Sequence, residues 1–308
     1  ANMVMHVTRR EILAGAVAAT AMTTLPRAGW TATSMQVGAY KITTVSDGFL
    51  QLPEHFTAPG ADEKSRRALL GDLVSADNFV RSPLNVTVVQ GAGETVLIDA
   101  GSGERFVPTA GQLVEGLDAI GIAPDDVTKV ILTHAHPDHL WGVIDGFDEL
   151  TFLNAEHVIN AAEMDFWLAP DVLSRLPDDQ QAFAVGAQRH LAGIGEQLTR
   201  AKPGDAVAPG IELIDTAGHT PGHVSVSVSD GDARALILGD ALAHPIISFA
   251  HPDWRPRMDL LGDQAAAMRA RLLAELASDQ TPIVGYHLTA PGAGYVRAAA
   301  GAYRFESL

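Results

Sequence analysis

A segment of seven residues, Thr133–His139, constrains the fold of this chain more than any other feature. It reads Thr-His-Ala-His-Pro-Asp-His and directly follows the apolar run Lys129–Leu132, which predicts a short buried strand. Residues two apart in an extended segment project to the same side, so His134 and His136 can reach one metal ion. The sequence therefore predicts a fold in which a strand ends at a metal site.

The second half of this segment supplies two further ligands. The proline turns the chain after the second histidine, so that Asp138 and His139 can face a neighbouring ion. Imidazole and carboxylate are ligands that suit Zn²⁺ and also Fe²⁺, Mn²⁺ or Co²⁺. The alternative is a histidine-rich polar loop without a metal, but such a loop does not require this close spacing of ligand types.

Three residues far along the chain occupy comparable positions. His219, Asp240 and His287 each follow an apolar run that predicts a strand. The carboxyl ends of strands are where α/β proteins assemble their sites. Taken singly, each residue has an ordinary explanation as a turn histidine, a strand-ending aspartate or a buried core histidine. Together with Thr133–His139 they predict a second set of metal ligands.

The composition narrows the classes of function. The chain has 308 residues, 47% of them hydrophobic, which is enough for one large domain with a sizeable core. The 37 acidic and 21 basic residues give a net charge of −16, so a phosphate backbone would be repelled and no nucleic-acid partner is expected. The absence of cysteine excludes disulfides, thiolate zinc ligands and cysteine nucleophiles.

Residues 1–34 predict an export leader rather than part of the fold. Paired arginines at positions 9 and 10 precede the apolar run Ile12–Met22, a pattern that resembles a twin-arginine signal. That run has 11 residues, too few to span a bilayer, and no later stretch looks transmembrane. We expect cleavage between Ala28 and Ser34, a cloning remnant at positions 1 and 2, and a periplasmic or secreted protein with no membrane segment. The alternative for the leader is an ordinary amphipathic helix.

Residues 35–308 predict a single domain in which strands and helices alternate without a linker. The stretch His244–Arg257 is expected to be a surface loop whose role the sequence does not reveal. Predicted strands are Tyr40–Val45, Asn85–Gln90, Thr95–Ile98, Lys129–Leu132, Ile211–Ile214, Val224–Val228, Ala235–Leu238 and Ile283–Val284. Predicted helices are Gln112–Ile120, Glu156–Leu168, Gln180–Leu198 and Gln264–Leu276.

The complete set of polar residues resembles the metallo-β-lactamase superfamily, whose signature is His-x-His-x-Asp-His followed by a distant His, Asp and His. The resemblance implies an α/β fold of the four-layer αββα type with a dinuclear site at one edge of its two sheets. It also implies the following ligands: His134, His136 and His219 for one ion, Asp138, His139 and His287 for the other, and Asp240 as a bridge. The turn Ile98–Gly101 matches the family's Asp-Thr-Gly turn with alanine in place of threonine, so Asp99 would orient a ligating histidine. A turn aspartate with no metal role remains the alternative for Asp99.

Within the superfamily, the chain is similar to methyl parathion hydrolase and related secreted lactonases and esterases. The similarity rests on six segments: Ser46–Gly48, Thr133–His139, Asp165–Leu168, Gly218–His223, Leu238–Asp240 and His287–Gly292. It implies that three aromatic residues line the substrate pocket, with core packing as their alternative role: Phe106, Trp167 and Phe183. His244, Pro245 and the loop His251–Arg257 depart from that subgroup, and this loop is expected to shape the pocket.

These features together predict a binuclear metal-dependent hydrolase with two divalent ions, zinc first and iron, manganese or cobalt as alternatives. A hydroxide bridging the ions would attack an ester, a lactone or a phosphotriester with apolar groups. Asp240 would bridge the ions and Asp138 would position the nucleophile or pass a proton to the leaving group. The alternatives are a mononuclear iron dioxygenase acting on a persulfide and a metal-binding protein without catalysis. The expected partner is a small-molecule substrate, and the sequence leaves open whether the protein is a homodimer.

Overall fold

The computed structural model describes residues 33–308, so the predicted leader lies outside the described residues except for its last two positions. Thr33 and Ser34 begin a strand, and Ser34 Oγ lies 2.9 Å from Thr43 Oγ1 of the neighbouring strand. These two residues therefore lie in a sheet, and the predicted end of the leader stays a prediction. Between residues 33 and 308, none of the helices combines the length and the apolar character needed to cross a bilayer.

Strands and helices alternate along the described part of the chain. The strands are β1 (Thr33–Val37), β2 (Tyr40–Pro53), β3 (Phe79–Gly91), β4 (Glu94–Ile98), β5 (Lys129–Leu132), β6 (Glu156–Asn160), β7 (Leu198–Ala201), β8 (Ala206–Ala208), β9 (Ile211–Asp215), β10 (Val224–Asp230), β11 (Ala233–Ile237), β12 (Ile283–Val284), β13 (Ala293–Ala299) and β14 (Ala302–Ser307). The α-helices are α1 (Glu54–Thr57), α2 (Glu63–Leu70), α3 (Leu113–Ala119), α4 (Pro137–Leu140), α5 (Ala161–Trp167), α6 (Val172–Arg175), α7 (Gln181–Ile194), α8 (Ile247–Ala250) and α9 (Gly262–Asp279).

The strands form two mixed sheets of seven strands each. One sheet runs in the order β1 to β7, and its strands from β4 to β7 are parallel. The other runs in the order β14 to β8, with β11 and β12 as its parallel pair. Side chains alternate across each strand, as in β5, where Val130 and Leu132 face one layer and Ile131 faces the other.

Three buried clusters show how the layers stack. One cluster joins the two sheets face to face, for example Ile131 of β5 with Val226 of β10. A second packs the outer face of the first sheet against α3 and α7, and a third packs the outer face of the second sheet against α9. The predicted four-layer αββα sandwich is therefore confirmed.

Two predicted helices need correction. The first half of Glu156–Leu168 is β6, because a strand buried on both faces has a continuous apolar run that periodicity does not separate from a helix. Helix α5 begins only after Asn160, whose side chain accepts a hydrogen bond from Ala162 N at 3.2 Å. The predicted helix Gln180–Leu198 is too long. Helix α7 ends at Ile194 because Gly195 has a φ of +62°, and Leu198 is already the first residue of β7.

Candidate metal centre

The seven predicted ligands meet at one edge of the sandwich. Strands β5, β9, β11 and β12 all end at this edge, and each is followed by one or more of the ligand residues. The loop that carries His219 is joined to the other sheet by a hydrogen bond from Val224 N to Thr133 O at 3.0 Å. The topology thus brings together residues that are distant in sequence.

Three ring nitrogens converge in the first ligand group. His134 Nε2 and His219 Nε2 each lie 3.0 Å from His136 Nδ1. Burial, followed by the charge of the neighbouring histidines, lowers the pKa of His134 and of His136 well below the usual value. A neutral ring has a lone pair on one of its two nitrogens, so one cation can satisfy one nitrogen from each of the three rings.

A carboxylate and two histidines form the second group. Asp138 Oδ2 lies 3.3 Å from His287 Nε2 and 3.5 Å from His139 Nε2. Burial opposes protonation of His287, but the carboxylates of Asp240 and Asp138 raise its pKa to about 10. The same carboxylates, with Asp99, raise the pKa of His139 well above the usual value against the effect of burial. The pocket therefore favours positive charge at this position.

Asp240 lies between the two groups. Its Oδ2 is 3.2 Å from His219 Nε2 and 3.3 Å from His287 Nε2, and its Oδ1 is 3.3 Å from His139 Nε2. Burial alone would raise the pKa of Asp240, but the surrounding histidines, with His287 the strongest, hold it well below the usual value. An ionised carboxylate in this position can ligate an ion on either side.

Unpaired buried atoms test whether these residues fit metal ions. Within residues 33–308, three atoms that face the centre have no hydrogen-bond partner: His139 Nε2, Asp138 Oδ2 and Asp240 Oδ1. Leaving such atoms unpaired away from water is costly, and divalent ions would satisfy them. The donor set of imidazoles and carboxylates is the one that zinc takes, so the residues fit the expected group.

Outer hydrogen bonds fix the orientation of the histidine rings. His139 Nδ1 donates to Asp99 Oδ2 at 2.8 Å, and Asp99 also accepts from Thr133 N at 2.7 Å. Asp99 thus lies where its predicted orienting role requires. His219 Nδ1 similarly donates to Asp259 Oδ1 at 3.0 Å, and Arg269 holds that carboxylate at 2.7 Å. These bonds leave Nε2 of each ligating ring free to face the centre.

Two residues that hold the metal loops were not predicted from the sequence. His223 Nε2 accepts a hydrogen bond from Asp240 N at 2.9 Å, while its Nδ1 lies 2.9 Å from Thr216 Oγ1. Glu163 accepts four hydrogen bonds, from Trp167 Nε1, from Thr220 Oγ1 and from the backbone N–H groups of residues 135 and 222. The sequence His219–His223 has a second histidine four residues after a predicted ligand, which is a signal that could have drawn attention to His223. The residues around Glu163 give no such signal that its carboxylate joins two loops.

A cavity of about 180 Å³ adjoins the centre, and most of its exposed surface is apolar, although polar residues that include metal ligands also line it. Phe106 and Phe183 line it, with their ring centroids 6.3 Å apart. Trp167 does not line it, which corrects the pocket role expected for that residue. Its side chain is fully buried, and Nε1 donates to Glu163 Oε1 at 2.6 Å, so the ring supports His136 from behind.

The stretch His244–Arg257 is not the surface loop that the sequence suggested. It contains α8, its Phe249 is fully buried, and its first residue lines the cavity. The reason is that Phe249 packs against the outer face of the second sheet, which buries residues 247–249, whereas residues 251–257 form an irregular stretch that is half-buried or exposed.

Comparisons with known proteins agree with this geometry. A family model described as the metallo-β-lactamase superfamily matches residues 80–287, more than half of the chain. A protein named as a probable metallo-hydrolase from Mycobacterium bovis is 32% identical over 133 residues, which cover 42% of this chain and 41% of that protein. The match therefore spans less than half the length of this curated relative.

Two solved structures are similar over nearly the whole domain. One is AidC, a dizinc quorum-quenching lactonase in complex with the product N-hexanoyl-L-homoserine, and the other is AbOPH, a hydrolase of the β-lactamase superfamily. Each has a TM-score of 0.84 and 26% sequence identity, and the similarity covers 90% of this chain and 97% of the other.

Proposed function

This chain belongs to the metallo-β-lactamase superfamily, and from that premise we propose that it is a binuclear, zinc-dependent hydrolase of neutral lactones and esters with apolar groups. The observation that carries the proposal is the place of Asp240, whose carboxylate lies between two ligand groups beside an apolar cavity. Storage of a metal requires neither a bridging carboxylate nor a cavity. Phosphotriesters with similar groups are the second substrate class.

The residues divide into those that hold ions and those that hold substrate. His134, His136 and His219 would hold one ion, Asp138, His139 and His287 the other, and Asp240 both. When bound, the two ions supply Lewis acidity, which acidifies water and polarises the scissile group.

Asp138 is the carboxylate placed to position the attacking water or to pass a proton to the leaving group. Its side chain lines the cavity, and Tyr286 Oη donates to its backbone oxygen at 2.6 Å, which fixes the residue. The apolar walls of the cavity exclude competing water and accept an apolar group of the substrate.

The similarity to a dizinc lactonase supports lactones as the first class to test. The net charge of −16 and the apolar walls both disfavour anionic substrates such as phosphomonoesters.

The test is a hydrolysis panel on zinc-loaded protein, together with its metal content. We expect about two zinc ions per chain and hydrolysis of neutral lactones and aryl esters above phosphotriesters, with no turnover of phosphomonoesters. One iron per chain with oxygen consumption on a persulfide would instead establish a dioxygenase. Two bound ions without any turnover in the panel would contradict hydrolysis.

A further inference from the structure

His244 has a ring whose protonation state follows from its hydrogen bonds. Its Nδ1 accepts from Ile246 N and from Ile247 N, both at 3.1 Å, at the start of α8. A ring nitrogen that accepts from two N–H groups carries no proton, so the ring is neutral and its proton lies on Nε2. The side chain is 7% exposed, and the loop therefore holds a fixed Nε2–H donor.

The described residues offer that donor no partner. Within residues 33–308, His244 Nε2 is buried and makes no hydrogen bond. The ring lines the cavity at the metal centre and also an adjacent cavity of about 440 Å³, and both cavities share His287 in the same wall. A buried N–H group without an acceptor is costly, so a partner is expected from within the cavity.

The other polar side chains of this shared wall already have partners. Ser82 Oγ lies 3.0 Å from His287 Nδ1, and Thr57 Oγ1 donates to Glu54 O at 2.8 Å. The remaining shared residues, Leu52 and Ala243, are apolar. In this shared wall, His244 is therefore the polar residue whose N–H donor has a fixed direction and no acceptor among the described residues.

We infer that His244 determines specificity by donating a hydrogen bond from Nε2 to a second, neutral carbonyl group of the substrate, such as the amide of an N-acyl lactone. The inference rests on the proposed function. A neutral acceptor is expected because a charged one would lose its hydration against the apolar walls around it. The scissile carbonyl lies at the metal ligands, so the carbonyl that His244 recognises is the one beside the apolar tail.

The test compares two lactones of matched chain length, N-hexanoyl homoserine lactone and an alkyl γ-lactone without the amide. His244→Asn keeps an oxygen that can accept from the start of α8, and it replaces the Nε2–H donor by an amide N–H₂ on a shorter side chain that does not reach the position of Nε2. We expect kcat/KM to fall about tenfold for the amide substrate and less than twofold for the alkyl lactone, with metal content unchanged. His251→Asn, at the other end of α8 and outside the cavity wall, serves as the matched control and should change neither value.

Equal losses on both lactones, or no loss on either, would overturn the inference and leave the hydrolase assignment intact. If the wild type hydrolyses neither lactone, it is the proposed function that fails. Long-range ¹H–¹⁵N spectra of the wild type give a reading that does not depend on activity or on the folding of a variant. We expect the Nε2–H form of His244, whose Nε2–H signal shifts on addition of N-hexanoyl-L-homoserine, and a proton on Nδ1 or an unshifted signal would contradict the inference.

Discussion

At the scale of single residues, the centre is a buried set of charges that compensate one another. Asp240 has three histidine nitrogens within 3.3 Å of its carboxylate oxygens. Removing one member of such a buried set leaves the others unpaired, so the effect of a substitution exceeds the loss of one contact. The bridging aspartate is therefore the most informative residue to change.

Asp240→Ala is expected to remove a ligand from both ions, so that bound zinc falls from two ions to one or fewer and hydrolysis is lost. Metal analysis of purified protein and the lactone assay measure the two effects. The matched control is Asp232→Ala, because Asp232 is exposed in the turn between β10 and β11. Wild-type metal content and turnover in the Asp240 variant would contradict a binuclear centre.

Phe183 is the aromatic residue best placed to contact an apolar substrate group, since its ring centroid lies 5.8 Å from that of His136. Phe183→Ala should lower kcat/KM for long-chain lactones about tenfold or more relative to short-chain ones, a loss of roughly 1–3 kcal/mol of differential binding. Zinc content should stay unchanged. Phe147→Ala, at an exposed ring outside the cavity, provides the comparison. A uniform loss across chain lengths would instead assign Phe183 to the core.

At the scale of elements, the site depends on how closely two loops approach α5. The loop after β9 passes so near that a Cβ at Gly222 would lie 2.0 Å from the backbone nitrogen of Glu163. Glu163 is also the residue whose carboxylate accepts from both metal loops. Close packing at Gly222 and the position of His219 are therefore linked.

Gly222→Ala should push the loop away from α5, destabilise the protein by roughly 1–3 kcal/mol and weaken zinc binding. Urea unfolding and competition with a chelator measure these changes. Gly146→Ala is the control, because the added methyl group meets only the flexible carboxylate of Glu104. If the two variants bind zinc equally, the close approach of the loop does not position the ligands.

The sequence indicated the candidate ligands that follow the strands, but it did not indicate Glu163 and Asp259, which hold the loops and orient a ligand. Thr133–His139 contains its ligands within a few residues, so spacing alone indicated the chemistry. Glu163 and Asp259 act across long sequence separations, and their roles depend on which loops the fold brings beside them. Trp167 shows the same limit, since an aromatic residue beside a site can line a cavity or support a ligand from behind.

At the scale of the whole molecule, burial lowers the pKa of histidines in several separate parts of the fold. Burial lowers the pKa of His157 in β6 to about 4 and that of His244 to about 4. Burial, followed by the charge of His219, lowers the pKa of His223 to about 3. In the unfolded chain these groups titrate near 6.5, so between these values the unfolded state binds more protons than the folded state.

The contribution of these histidines to the free energy of unfolding should therefore be full above pH 6.5 and fall as the pH drops towards 4, by about 1.4 kcal/mol per pH unit for each of them. His287 does not offset this loss, because its raised pKa of about 10 places its own effect above pH 6.5. Urea unfolding of chelator-treated protein at several pH values measures the slope without the effect of metal release. His157→Phe should lower the slope by about one proton, whereas the same change at the exposed His55 should not. If His157→Phe left the slope unchanged, the folded protein would admit this proton and His157 would not be held neutral.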